Sequence, residues 1–270
     1  DTGLSWLVWV SVAVLLGTIS VIIARLMPLF RIMQDKLDAI NVVEKDRMDY
    51  ASEVDAQAEE AATKELRRAA PDYAILVEEG GLKGKGRSVW VIDPLDGTNN
   101  FLHRVPHFSV SIAVRQGATL TQGLVYHPLL DEMLWAVRGQ GAYQGSRRLP
   151  ILSARPLNEM LVGTCLPYHH KGDCMTSQRQ LAALMPHVAG IRSPGSAALE
   201  IAYAGMGRFD AFWSQGAELE LWDIAAGIVI AREAGCQVSD LAGHDDPDEW
   251  NSLLIAHPEQ HGTLRSLLNE

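Results

Sequence analysis

The sequence predicts a layered α/β protein, and three observations carry that expectation. Helical patterns lead into strands and hairpins as far as about Leu149. From there strands and helices alternate to the end, and residues 88–92 form a β-branched and aromatic run of the kind buried on both faces of a sheet. An N-terminal α+β half, residues 1–149, and a C-terminal α/β half, residues 150–270, are therefore expected. At 270 residues and 47% hydrophobic, the chain is long enough to bury a substantial core.

The N-terminal run, residues 4–23, contains no charged residue and has the length of about 20 that a membrane-spanning helix needs. If it were an anchor, Arg25, Arg31 and Lys36 would leave the rest of the chain in the cytoplasm. The alternative is a buried or dimer-facing helix ended or kinked by Pro28. Residues 56–68 read as a polar helix with Asp55 as its cap. Residues 75–80 read as a short strand ending in Glu78 and Glu79, and residues 80–87 as a mobile Gly/Lys-rich loop without Walker spacing.

After the strand at 88–92, Pro94 is expected to stop the ladder, and Thr98, Asn99 and Asn100 can open a helix. Gly139, Gly141 and Gly145 fall in a hairpin-like segment, which argues against a dinucleotide site. Helices are expected over 181–186 and 197–204, a strand over 208–213, and an apolar helix from Asp223 to about Ala234.

Composition narrows the function. A formal net charge of −10 argues against a nucleic-acid backbone as main partner. Three cysteines, an odd and sparse set, suggest a reducing compartment without a disulfide framework.

The chemistry concentrates in Val89-Trp90-Val91-Ile92-Asp93-Pro94-Leu95-Asp96-Gly97-Thr98. Asp93 and Asp96 can point into one small volume, where like charges repel unless one is protonated or a cation lies between them. Gly97 permits close backbone approach, and a helix start offers N–H groups to an anion such as phosphate. Taken alone, the pattern reads rather as an Asp-Pro turn capped by Asp96 or Thr98. Glu78 with Glu79, and Asp223, add acidic sites that alone would read as a solvated strand end and a helix N-cap. His169, His170, Asp173 and Cys174 lack a second zinc-ligand pair. His244, Asp245, Asp246, Asp248 and Glu249 lack calcium-loop spacing. Both clusters read as surface turns, and His103 and His107 as packing or surface histidines.

Together, in this order, these residues resemble the inositol monophosphatase family of magnesium-dependent, lithium-sensitive phosphatases. The Trp90-to-Phe101 block is similar to the family's first signature, and Trp222-Asp223-Ile224-Ala225-Ala226-Gly227 to the second. Pro106-His107-Phe108-Ser109, Arg138-Gly139-Gln140-Gly141 and Ser193-Pro194-Gly195-Ser196-Ala197 also follow the family pattern, and the resemblance runs from about residue 46 to the C-terminus. It implies an alternating α-β-α-β-α sandwich of the inositol monophosphatase and fructose-1,6-bisphosphatase type.

The resemblance further implies metal ligands at Glu78, Asp93, Asp96, Asp223 and the Leu95 carbonyl, holding two or three Mg²⁺ ions. One ion would acidify a water and another would stabilise the leaving alkoxide in an in-line attack. Thr98 and Glu78 would orient the water, Asp55 would support Thr98, and the Gly97 and Thr98 N–H groups would hold the phosphate. Asp96, Gly195, Ser196, Ala197 and the residue at Ser214 would meet the alcohol.

Ser214 stands where the family has Glu, with about two extra residues before Trp222; Glu218 or Glu220 is the candidate replacement. Val77 stands where Gly is usual. The expected reaction is hydrolysis of inositol 1-phosphate in the cytoplasm by a homodimer. Other candidate substrates are fructose 1,6-bisphosphate, a nucleotide 3′-phosphate and histidinol phosphate, although Asn99 departs from the Lys of the last two branches. A non-catalytic, membrane-tethered adaptor retaining the fold is the reading from another class. Counting back from Asp55 places the family's first helix across roughly the second half of the apolar run, so the core-helix reading of residues 4–23 is preferred to the anchor.

Overall fold

The computed structural model describes residues 17, 21–24, 26–30, 42–45, 49–167, 172–245 and 251–270. Strands β1 (Val42–Lys45) and β2 (Asp49–Ser52) form an antiparallel hairpin that runs directly into the helix Glu53–Ala69. Val54, Ala58, Ala62 and Leu66 recur at four-residue spacing and are buried together, which gives this polar helix one face for the core.

Eight strands form the first sheet: β3 (Ala74–Val77), β4 (Gly81–Lys83), β5 (Ser88–Asp96), β6 (Ser109–Gln116), β7 (Thr119–His127), β8 (Glu132–Val137), β9 (Gly141–Gln144) and β10 (Arg147–Arg148). Their order is β10-β9-β8-β7-β6-β5-β3-β4, antiparallel except for the parallel pair β3 and β5. A second sheet has the order β12-β11-β13-β15-β14, built from β11 (Leu161–Thr164), β12 (Gly190–Arg192), β13 (Ala211–Gln215), β14 (Gln237–Ser239) and β15 (Ser252–Ala256).

Side-chain alternation sorts these sheets into layers. Val89 and Val91 of β5 face the helices Ala197–Met206 and Leu221–Glu233, whereas Trp90 and Ile92 face the helix Glu53–Ala69. In the second sheet, Phe212, Leu253 and Ile255 join the central helices. Ala211, Trp213 and Leu254 instead pack against Leu184, Leu264 and Leu268 of the helices Cys174–Leu184 and Pro258–Leu268. The result is the expected α-β-α-β-α sandwich, with the two central helices buried between sheets.

Several elements differ from the sequence expectation. The helix at 53–69 starts before Asp55, so Asp55 lies inside its first turn and is not its cap. The 80–87 loop contains β4. The helix expected over 181–186 begins at Cys174, because Asp173 caps it by accepting from the Met175 and Thr176 N–H groups. The ladder of β5 also continues past Pro94.

Residues 21–24 and 26–30 are helical, and the helix runs through Pro28. Ile22, Leu26 and Phe30, four residues apart, are buried, and the Phe30 ring lies 6.0 Å from Phe101 and 6.1 Å from Phe108. Most of the apolar run, residues 4–16 and 18–20, lies outside the described residues. Among the described residues, no helix is long and apolar enough to cross a membrane. His169 and His170, and Asp246, Asp248 and Glu249, also lie outside the described residues; Asp173 acts as a helix cap and His244 pairs with Asp240 at 2.8 Å.

Two consequences of this packing are measurable. Phe30→Ala should lower unfolding stability by about 3–5 kcal/mol in denaturant titration; a loss under about 1 kcal/mol would contradict the aromatic contact. His107 packs edge-on against His127 and Tyr203, each with ring centroids 6.1 Å away, and burial together with His127 pushes its pKa down to about 4. The unfolded chain takes up this proton near 6.5 and the folded chain only near 4, so stability falls as pH drops through that interval. Thermal unfolding of His107→Gln should show a shallower fall between those pH values than the parent chain.

Candidate active site

The parallel pairing of β3 with β5 sets Val77 opposite Ile92, so Glu78 emerges beside Asp93 at the carboxyl ends of the two strands. Regular strand geometry would send Asp93 and Asp96 to opposite faces, because they are three residues apart. A bulge removes the conflict. Asp93 is opposite Ser111 and Asp96 is opposite Ser109, three residues against two, with Pro94 inside the irregularity where its missing N–H costs no ladder bond. Asp93 Oδ1 accepts from the Leu95 N–H at 2.9 Å. Gly97 then turns the chain at φ 94°, a left-handed conformation suited to glycine, into the short helix Thr98–Leu102.

The third carboxylate arrives from the other sheet's side. Ser111 Oγ donates to the Trp222 carbonyl at 3.0 Å, tying the start of the helix Leu221–Glu233 to β6. Glu220 is the N-cap of that helix, and Asp223 closes a capping box, accepting the Glu220 N–H at 2.7 Å. Asp223 thus serves the helix start from its third position, where the sequence reading had an N-cap.

Asp93, Asp96 and Asp223 offer oxygen atoms that all lie within 4.8 Å of one another. Burial, followed by repulsion from Glu78, Asp96 and Asp223, raises the Asp93 pKa well above the usual carboxylate range. Burial and Asp96 raise that of Asp223 likewise. Asp96 is raised by burial, against the pull of its donors: Ser196 Oγ, Ser109 Oγ at 3.0 Å, and the Ala197 and Ala198 N–H groups at 3.1 Å. Three crowded carboxylate donors are chemically suited to a hard divalent ion, which would relieve their mutual repulsion.

A cavity of about 480 Å³ opens over this cluster. Glu78, Asp93, Leu95, Asp96, Gly97, Thr98, Gly195, Ala197 and Asp223 line it, so nine of the eleven sequence-nominated residues other than Asp55 meet there. Asp55 is buried behind the wall, where its Oδ1 is 3.1 Å from Thr98 Oγ1; that hydroxyl also reaches the Leu95 carbonyl at 3.1 Å. Ser196 is fully buried on Asp96 and does not line the cavity. Ser214 lies outside it, in an adjoining cleft of about 510 Å³, whereas Glu218 and Glu220 line both spaces.

Residues not anticipated hold the wall from behind or from its rim. Glu200, fully buried on the helix Ala197–Met206, accepts the Gly195 and Ser196 N–H groups at 2.8 and 3.1 Å, and burial lifts its pKa to about 8. Asn100 Nδ2 donates to the His107 and Pro194 carbonyls at 2.7 and 2.8 Å, joining the first signature to the segments around His107 and Pro194. Asn100 belongs to the recognised block, but nothing in the sequence told where its amide points.

The family model described as the inositol monophosphatase family matches residues 12–270. The chain belongs to that family. An inositol-1-monophosphatase of Rhizobium meliloti is 39% identical over 226 residues, covering 83% of this chain and 84% of the relative. A Nus factor SuhB of Xylella fastidiosa is 43% identical over 213 residues, covering 79% and 77%. Among solved structures, the extragenic suppressor protein suhB of Bartonella henselae superposes with a TM-score of 0.89 at 32% identity, over 95% of this chain and 98% of that one. An IMPase of Thermotoga maritima does so with 0.81 at 32%, over 91% and 92%.

Within this inositol monophosphatase fold, the Val77 side chain is fully buried in the core shared with the helix Glu53–Ala69. The carboxylate cluster makes a prediction of its own. In chelator-treated protein, rising pH ionises Asp93 against its neighbours, and stability present at low pH is lost as the raised pKa is passed. Thermal unfolding of Asp93→Asn should therefore lose less stability with rising pH than the parent chain, and should gain less on addition of a divalent cation. Identical pH and cation responses would contradict the cluster.

Proposed function

We propose that this chain is a Mg²⁺-dependent phosphomonoesterase, with inositol 1-phosphate as leading substrate and two or three Mg²⁺ ions at Glu78, Asp93, Asp96, Asp223 and the Leu95 carbonyl. The observation that carries this reading is the convergence of Asp93, Asp96 and Asp223 within 4.8 Å at the floor of a cavity that Thr98 also lines. Bound ions would supply Lewis acidity to the attacking water and the leaving alkoxide.

The chain's own groups do the positioning. Thr98 directs its O–H to Asp55 or the Leu95 carbonyl, which leaves its oxygen to accept a hydrogen bond from the attacking water and so orient it. Glu78 holds the same water from the β3 side. The Gly97 and Thr98 backbone N–H groups take phosphate oxygens. Asp96, Gly195 and Ala197 flank the alcohol, with Glu218 and Glu220 supplying the carboxylate acceptors that Ser214 cannot. Three free cysteines agree with a reducing, cytoplasmic setting.

A second reading, a Nus-factor role, is favoured by the names of relatives 41–44% identical to the chain. A carboxylate cluster strained by repulsion supports catalysis, since a scaffold alone gains nothing from it. Phosphate release from a panel of polyol, sugar, nucleotide and amino-alcohol phosphates, with and without Mg²⁺, tests the proposal. Inositol 1-phosphate should turn over only with the metal. Asp93→Asn and Asp223→Asn should each reduce turnover by about 100-fold or more, and Thr98→Ala by a similar factor. Absence of turnover with every substrate would overturn the enzyme reading and leave the scaffold role.

A further inference from the structure

Glu59 lies on the helix Glu53–Ala69, one turn beyond Asp55, so the two carboxylates share a helix face. Asp55 reaches Thr98, at the end of the chain segment that carries Asp93 and Asp96. Glu59 reaches the opposite wall. Its Oε2 accepts the N–H groups of Glu79 at 3.1 Å and Gly80 at 3.2 Å, the two residues that follow Glu78 in the turn between β3 and β4. Its Oε1 pairs with Lys83 Nζ at 2.6 Å. Lys83, from the Gly/Lys-rich segment, is thus paired with the same carboxylate that holds this turn. Packing here is close: a Cβ on Gly80 would lie 2.2 Å from Lys83 Nζ and 2.6 Å from Glu59 Oε1.

We propose that Glu59 is a positioning residue for divalent-cation binding: by clamping the turn after Glu78, it fixes Glu78 at the right separation from Asp93. The inference rests on the assignment of Glu78 to the metal site. One rigid helix, through two side chains four residues apart, spans both walls of the cavity and sets the distance between them. Without the Glu59 carboxylate, two turn N–H groups and the Lys83 ammonium lose their partner, and the Glu78 carboxylate samples positions outside the cluster.

Calorimetric titration of Mg²⁺ and Mn²⁺ into the full-length chain, run beside phosphate release, tests this. Glu59→Ala should raise the Mg²⁺ midpoint about tenfold by both readouts, with turnover at saturating Mg²⁺ reduced far less. Glu59→Gln should restore most of the affinity, because its amide oxygen can still accept the turn N–H groups. Lys83→Met, which spares those two bonds, should change the midpoint less than twofold. Glu59→Asp, one methylene shorter, should withdraw the carboxylate from both turn N–H groups and weaken metal binding; it carries the test if Glu59→Ala does not fold. Unchanged calorimetric midpoints in folded Glu59→Ala or in Glu59→Asp would overturn the inference. A parent chain that binds metal but releases no phosphate would overturn the hydrolase reading alone, since the calorimetry still scores Glu59.

Discussion

The structure depends on holding mutually repelling carboxylates together where burial limits screening by water. Asp93, Asp96 and Asp223 each resist ionisation, and Glu78 adds to the repulsion at Asp93. An arrangement of this kind persists only if the backbone over-determines it. Here the parallel β3 and β5 pair, the bulge around Pro94 and the capping box at Glu220 each fix one approach direction.

Helix termini share in the compensation. Asp96 receives the Ala197 and Ala198 N–H groups of one central helix, and Asp223 sits in the first turn of the other. Both carboxylates thereby meet the positive end of a helix dipole, which offsets part of the burial cost before any cation arrives. The sandwich explains why this is feasible: the two central helices are clamped between sheets, so their N-termini cannot drift away from the strand ends they face.

Much of the site was legible because its residues sit in contiguous signatures whose chemistry is explicit in residue type. Asp93, Asp96, Thr98 and Asp223 belong to that group. Ser109 also fell within a recognised block, but its hydroxyl, like that of Ser111, acquires a role only through the register of β6 against β5. Glu59 and Glu200 were invisible, since a glutamate on a helix advertises nothing until the loop it holds is placed in space. The layered fold followed from strand and helix order, whereas boundaries failed where side chains overrode local pattern. Asp173 started a helix seven residues before the expected one, and a strand tolerated Pro94 by bulging. Ser214 was nominated by alignment to a motif, but its place depends on the path of the longer segment before Trp222, which residue spacing alone does not describe.

The bulge between Asp93 and Asp96 has a consequence for how such a scaffold can diversify. Adding or deleting one residue there would re-phase the strand and turn one carboxylate to the opposite face of the sheet. The loop at 216–220 carries no such parity: it separates two clefts and can lengthen without moving the strand ends. Selection for new alcohols is therefore free to work by insertion on the loop wall, while the charged floor is confined to changes that keep its residue count.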